Sequence, residues 1–326
     1  MTGRTSIVAA ILGASLLTLT LDAHSVEKLS FDSFTPDDYA EIISGAYRGK
    51  PAGLHGFLVH PKPGSRLPAV VIVPGSGGYA EWMQATVAKP LNDAGIATLI
   101  VDSFTGRGVR ETATDQGRVP MAASVMDAFQ ALALLAQRAD IDPTRIGVTG
   151  FSRGGTVSMF TAEQRLMKAA LPKGPHFAAH LPFYPGCSTQ WLSPQPGHAP
   201  IRFLLGAEDR YTPAQLCIDY AARLRDRGAT ADHRVYEGAH HAWMADYALN
   251  FGKSIQTFGD CDLKIEDDGG IRDMKSGATT REGWKAFATK VVQSCAGRGA
   301  LVGADPAARA AATADMIAFF RATLLP

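Results

Sequence analysis

A succession of short apolar runs, most of them hydrophobic on consecutive residues, limits what this chain can fold into. They lie at residues 56–60 (GFLVH), 68–73 (PAVVIV), 96–101 (IATLIV), 145–149 (RIGVT), 179–184 (AHLPFY) and 201–205 (IRFLL), with a weaker run at 233–236 (HRVY). A strand with one face in water alternates apolar and polar side chains, whereas a run without alternation belongs to a strand covered on both faces. Helical patterns separate the runs at 81–94, 121–138, 152–166, 213–227 and 307–325. Pro90 kinks or shortens the first, and Pro213 stands near a helix start, where its missing N–H is harmless. Strands alternating with helices predict an α/β fold with a mostly parallel central sheet flanked by helices.

Composition excludes some classes of function. Lys+Arg number 32 against 31 Asp+Glu, so no basic excess exists to neutralise nucleic-acid phosphates. A hydrophobic content of 46 % is too high for a disordered chain. Residues 1–23 carry Arg4, an uncharged apolar run from 7 to 21 and a small residue, Ala23, at the end, which is the layout of an export signal. That run is shorter than the roughly 18–20 residues of a membrane span, so no stable membrane insertion is expected. Residues 24–326 then form one domain, with export to the periplasm or medium. Its four cysteines, Cys187, Cys217, Cys261 and Cys295, suit two disulfides in an oxidising compartment and allow three pairings. Residues 244–306 are polar and turn-rich and are expected to be an insertion packed on the sheet edge; their acids (Asp260, Asp262, Glu266, Asp267 and Asp268) read as a solvated turn, because the spacing does not fit a calcium loop. His176 and His180 have the i,i+4 spacing of metal ligands, but no third ligand lies near them in the sequence.

The chemistry centres on Gly150-Phe151-Ser152-Arg153-Gly154-Gly155, which contains G-x-S-x-G. An apolar strand runs straight into it and a helical pattern follows, the strand–turn–helix of a nucleophile elbow. The glycines permit a turn tight enough to expose the Ser152 hydroxyl at a helix N-terminus, where developing negative charge is favoured. A serine hydroxyl needs a base to become nucleophilic. Asp209, or second to it Glu208, follows the strand at 201–205 and supplies an acid; one of His240 and His241, after the strand at 233–236, supplies the base. Backbone N–H groups for an oxyanion are expected from Arg153, directly after the nucleophile, and from Ser76 or Gly77 in the loop Pro74-Gly75-Ser76-Gly77-Gly78. Arg107, in a loop after a strand, is a candidate for binding a substrate carboxylate.

With these residues placed, the sequence resembles the dienelactone hydrolase branch of the α/β-hydrolase superfamily, through VIVPGSGG, GFSRGG, FYPGC, LLGAEDRYTPAQLC and YEGAHHAW over roughly residues 50–250 and the final helix. The resemblance implies His241 as the triad histidine and Asp209 as the acid, and it implies the pairing Cys187–Cys217 with Cys261–Cys295. The enzymes that name the family use cysteine as nucleophile; this chain has Ser152 there. The expected function is a serine hydrolase that cleaves a small-molecule carboxylic ester or lactone through an acyl-enzyme and needs no metal or organic cofactor. A peptidase or acyltransferase would use the same machinery, and a non-catalytic exported binding protein would keep the fold without the reactivity.

Overall fold

The computed structural model describes residues 26–61 and 66–325. The proposed export signal lies outside the described residues. Eight strands form the main sheet: β1 (Val26–Phe34), β2 (Pro51–Val59), β3 (Leu67–Val73), β4 (Ala97–Asp102), β5 (Ile141–Phe151), β6 (Ala179–Phe183), β8 (Ile201–Gly206) and β9 (Ala231–Tyr236), with the short β7 (Thr189–Trp191) standing outside it. Their spatial order is β1-β2-β4-β3-β5-β6-β8-β9. From β4 to β9 every pairing is parallel, while β1 and β2 join antiparallel at one edge.

Alternate side chains of the central strands feed two separate cores. On β3, Ala69, Val71 and Val73 enter one core, and Val70 and Ile72 enter the other. The first core is closed by α3 (Met121–Ala136) and α6 (Ala214–Asp226), the second by the segment around Met83–Leu91 and the long α8 (Pro306–Leu324). Both faces of the sheet are therefore dry, which is why these strands show no polar alternation.

Several elements differ from the sequence expectation. The polar edge strand β1 has only Phe31 and Ser33 buried, so it left no apolar run to read. The helix expected over 152–166 is two, α4 (Arg153–Phe160) and α5 (Gln164–Ala170), after the shorter α1 (Tyr39–Ser44) and α2 (Lys89–Asp93) earlier in the chain. The largest difference concerns residues 244–306. They hold β10 (Asn250–Thr257), β11 (Leu263–Ile265), β12 (Ile271–Asp273), α7 (Trp284–Ser294) and β13 (Gly297–Val302). None of these strands pairs with the edge strands β1 or β9: β10 pairs with β13, and β11 joins β12 and β7. The segment covers the carboxyl-end rim of the sheet instead of its edge. Three of its acids are matched by arginines, Glu266 with Arg272 (2.9 Å), Asp268 with Arg281 (2.6 Å) and Asp267 with Arg165 (2.8 Å), and Asp262 by Lys264 (2.8 Å).

Two disulfides join Cys187 to Cys217 and Cys261 to Cys295. They span 30 and 34 residues, and loops of that length stabilise by about 3–4 kcal/mol each through the unfolded chain. His180 is buried on β6, with Nδ1 3.0 Å from the Ser158 carbonyl and 3.2 Å from Thr161 Oγ1, so its role is internal and not metal-ligating. Burial lowers its pKa from 6.5 to about 4. Between those values the unfolded chain binds a proton that the folded chain does not, so stability falls as pH falls through this window. In urea titrations across that range, the native protein should lose on the order of 3 kcal/mol more than His180→Asn, which has no titrating ring there.

Candidate active site

β5 delivers the chain to Ser152, whose backbone (φ 54°, ψ −113°) is one that non-glycine residues rarely adopt. The turn closes this tightly because its flanks lack side chains. A Cβ at Gly150 would lie 2.3 Å from the Gly154 carbonyl oxygen, and one at Gly154 would lie 2.0 Å from that of Val73. The Ser152 N–H donates to the Phe183 carbonyl on β6 (3.0 Å), and its own carbonyl accepts from Thr156 N–H (2.9 Å) to start α4.

Asp209 and His241 leave the ends of β8 and β9 on the same rim. The His241 Nδ1 lies 2.7 Å from Asp209 Oδ2, and Nε2 lies 2.8 Å from Ser152 Oγ. A carboxylate accepts, so Nδ1 carries the hydrogen and Nε2 is left to accept from the serine hydroxyl. Asp209 also accepts from the N–H groups of Tyr211 (2.9 Å) and Thr212 (2.8 Å) and from Thr212 Oγ1 (2.8 Å). Both Asp209 and His241 are almost wholly buried. The rings of Tyr184 and Tyr211 flank the imidazole at centroid distances of 4.9 and 4.4 Å. Behind it, the His241 carbonyl accepts from Gly303 N–H (2.9 Å). His240 faces away, with Nδ1 3.1 Å from the Glu208 carbonyl. Of the four non-glycine residues with positive φ among the described residues, three stand at this site: Ser152, Tyr184 and Ala242. Such conformations cost about 1–3 kcal/mol each and persist where surrounding contacts over-determine them.

The loop carrying Ser76 lies against the elbow: a Cβ on Gly75 would sit 3.1 Å from the Phe151 carbonyl and 3.6 Å from the Ser152 Cβ. Neither Ser76 N–H nor Arg153 N–H has a protein acceptor among the described residues. One residue that the sequence did not single out ties the parts together. Gln116 donates from Nε2 to Ser76 Oγ (2.8 Å) and Tyr211 Oη (3.2 Å), accepts at Oε1 from Arg153 Nη1 (3.2 Å), and donates its backbone N–H to Gln256 Oε1 (2.8 Å). It opens a short 3-10 turn (Gln116–Arg118) that carries no motif, so only its three-dimensional position marks it.

The Arg153 side chain turns inward. Its Nη2 donates to the Val119 carbonyl (2.5 Å), its Nε finds no partner, and no carboxylate pairs with it among the described residues. Burial lowers its pKa to about 10, which still leaves a cation at neutral pH beside Ser152. Arg107, expected as a carboxylate binder, is corrected by its contacts. Nη1 and Nη2 grip Asp127 at 2.8 and 2.9 Å, and the remaining N–H groups donate to Thr35 Oγ1 and to the Ser103 and Phe34 carbonyls. Every donor is spent within the fold, and Arg107 does not line the cavity of about 190 Å³ that opens at Ser152.

The chain matches the model of the dienelactone hydrolase family over residues 54–256. It belongs to that family. It is 23 % identical over 198 residues to a protein of Bradyrhizobium named as a probable 2-oxo-3-(5-oxofuran-2-ylidene)propanoate lactonase, covering 57 % of this chain and 77 % of the relative. An esterase of Pyrobaculum calidifontis superposes with a TM-score of 0.50 at 18 % identity, over 68 % of this chain and 78 % of its own. A dienelactone hydrolase-like promiscuous phosphotriesterase from metagenomic libraries superposes with a TM-score of 0.51 at 15 % identity, over 91 % and 98 % of the two chains. These two structures share the fold. Family membership makes this dienelactone hydrolase homologue a hydrolase of carboxylic esters or lactones.

Two substitutions check the site's architecture. Asp127→Ala leaves Arg107 buried without its partner and should lower unfolding free energy by about 3–5 kcal/mol in urea, while the preference between anionic and neutral esters stays unchanged. Gln116→Ala frees the Ser76 loop and should lower kcat about 10–100-fold in steady-state assays, with little change in KM.

Proposed function

We propose that this protein is an exported serine hydrolase in which Ser152, His241 and Asp209 act as a catalytic triad on a small-molecule carboxylic ester or lactone. The observation that carries this reading is the unbroken hydrogen-bonded line from Asp209 through His241 to the strained Ser152. Ser152 Oγ attacks the carbonyl carbon while His241 Nε2 takes its proton. The imidazolium so formed is stabilised by Asp209 across a 2.7 Å contact. The tetrahedral oxyanion is held by the N–H groups of Ser76 and Arg153, with the α4 N-terminus and the Arg153 charge adding to the local positive potential. His241 then delivers its proton to the leaving alkoxide oxygen, and the acyl-enzyme forms. Water, deprotonated by the same imidazole, attacks the acyl carbon and releases the acid and the free serine.

Export to the periplasm or medium is supported by the two disulfides, which persist in oxidising compartments, together with the leader-like first 23 residues.

Ser152→Ala should cut turnover of p-nitrophenyl acetate by at least about 10⁴-fold and abolish covalent labelling by a fluorophosphonate. Retention of ester turnover in that variant would remove Ser152 as nucleophile. An aminoacyl anilide assayed in parallel separates esterase from peptidase action.

A further inference from the structure

The cavity at Ser152 has two unlike ends. Near the serine its wall is polar, with Ser76, Gln116, Arg153 and Tyr211. Away from it the wall is apolar and comes largely from the segment between β10 and β13. Five residues of α7, Trp284, Phe287, Ala288, Val291 and Val292, line it, joined by Leu263 and Ile271 of β11 and β12. Their positions on α7 follow i, i+3, i+4, i+7 and i+8, one face of a helix. Tyr39 and Phe160 complete the wall from the body of the domain.

This roof is built to hold its shape. The Cys261–Cys295 disulfide ties the end of α7 to the chain before β11. Ser294 Oγ, one residue earlier, donates to Asp273 Oδ2 at 2.7 Å, and Asp273 also accepts from Lys275 N–H and Ser276 Oγ. The Trp284 and Phe287 rings pack against each other at 6.0 Å. All the roof residues lie beyond position 256, where the match to the family ends. Most of the apolar end is therefore built by chain outside the stretch that matches the family.

We propose that the insertion forms a selectivity pocket for the apolar portion of the substrate, making the protein a hydrolase of esters that carry an aromatic ring or an alkyl chain of about six carbons. The inference rests on the proposed role of Ser152. The size follows from the cavity: it holds about 190 Å³, somewhat more than the roughly 150 Å³ of an apolar cavity that takes up benzene. The ester sits at the polar end, and the group attached to it displaces water from α7. That group is on the acyl or the alcohol side, and two substrate series tell which.

The first series holds p-nitrophenol constant and lengthens the acyl group from acetate to hexanoate and phenylacetate. The second holds acetate constant and lengthens the alcohol from ethyl to hexyl and benzyl. In one series kcat/KM should rise about fourfold per methylene, the transfer value for a buried CH₂, until the cavity is full. Ala288→Trp fills the cavity and should lower the hexyl-to-acetyl or hexyl-to-ethyl ratio at least about tenfold, and Val291→Ala should move the preferred length upward by one or two carbons. A flat profile in both series, or a rising one that neither variant alters, overturns the proposal. Acetate turnover that depends on Ser152 would then still uphold the hydrolase reading.

Binding without chemistry gives the independent measure. Ser152→Ala titrated with 4-phenyl-2-butanone, a neutral carbonyl compound with no leaving group, should show a saturable change in tryptophan fluorescence. The change should be absent in Ser152→Ala/Trp284→Phe and weakened at least about tenfold by Ala288→Trp. Absence of saturable binding overturns the pocket even if ester turnover is intact.

Discussion

The proposed catalytic rim depends on one enforced backbone conformation, the positive φ of 54° at Ser152. A side chain held there leaves the strand sharply and stands clear of both β5 and α4, which is what exposes its hydroxyl. The conformation is unfavourable for an L-residue and does not persist on local preference. It persists because the neighbouring backbones close around it: the Ser152 N–H is bound by Phe183 of β6, and the Gly154 Cα lies so near β3 that a methyl group would strike the Val73 carbonyl. The elbow thus requires a parallel strand on each side of β5, and the dry, two-faced sheet is what supplies them. The apolar runs and the reactive serine are two consequences of a single arrangement.

The polar groups around the elbow are coupled as tightly as the backbone. Asp209 accepts from two backbone N–H groups, one hydroxyl and the imidazole, so its oxygens are filled by fixed donors. Arg153 brings an unmatched positive charge into a region of low polarity, where Coulomb interactions fall off less than in water. Asp127 favours that charge from a distance but makes no ion pair with it, because Arg107 grips both carboxylate oxygens. Gln116 holds the loop, the helix and the acid turn in register.

Much of this was legible in the residues, and what was not has a physical reason. Non-alternating strands, the glycine-flanked serine and the acid and histidines after later strands all leave local signatures, because tight turns and double burial constrain composition at the position itself. The choice between His240 and His241 leaves none. Both are loop histidines, and only the folded backbone, with its positive φ at Ala242 and the bond from Gly303, turns one ring to Asp209 and Ser152 and the other to the Glu208 carbonyl. Arg107 misled for a similar reason: an arginine after a strand looks the same whether it meets a substrate or Asp127, which lies 20 residues on in α3. Residues 244–306 were expected at the sheet edge because polar, turn-rich sequence resembles peripheral chain. Their apolar residues are scattered in short groups, and those of α7 gather only when the helix folds and turns one face inward.

The proposed pocket and the proposed triad belong to separate parts of the chain. The insertion's two ends are anchored to the machinery: Gln256 accepts the Gln116 N–H at 2.8 Å, and Gly303 donates to the His241 carbonyl at 2.9 Å. The β10–β13 ribbon brings those ends together, pairing Gln256 with Arg298 and Asn250 with Val302. Beyond this neck the intervening chain is a lobe whose own base is closed by Cys261–Cys295. A lobe built this way can change its inner face without moving the neck, and the neck is what touches Gln116 and His241. On the proposed reading, a substitution in α7 changes the volume beside Ser152 without touching the line from Asp209 through His241 to Ser152. The residues of that line lie within the stretch that matches the family, and α7 lies outside it.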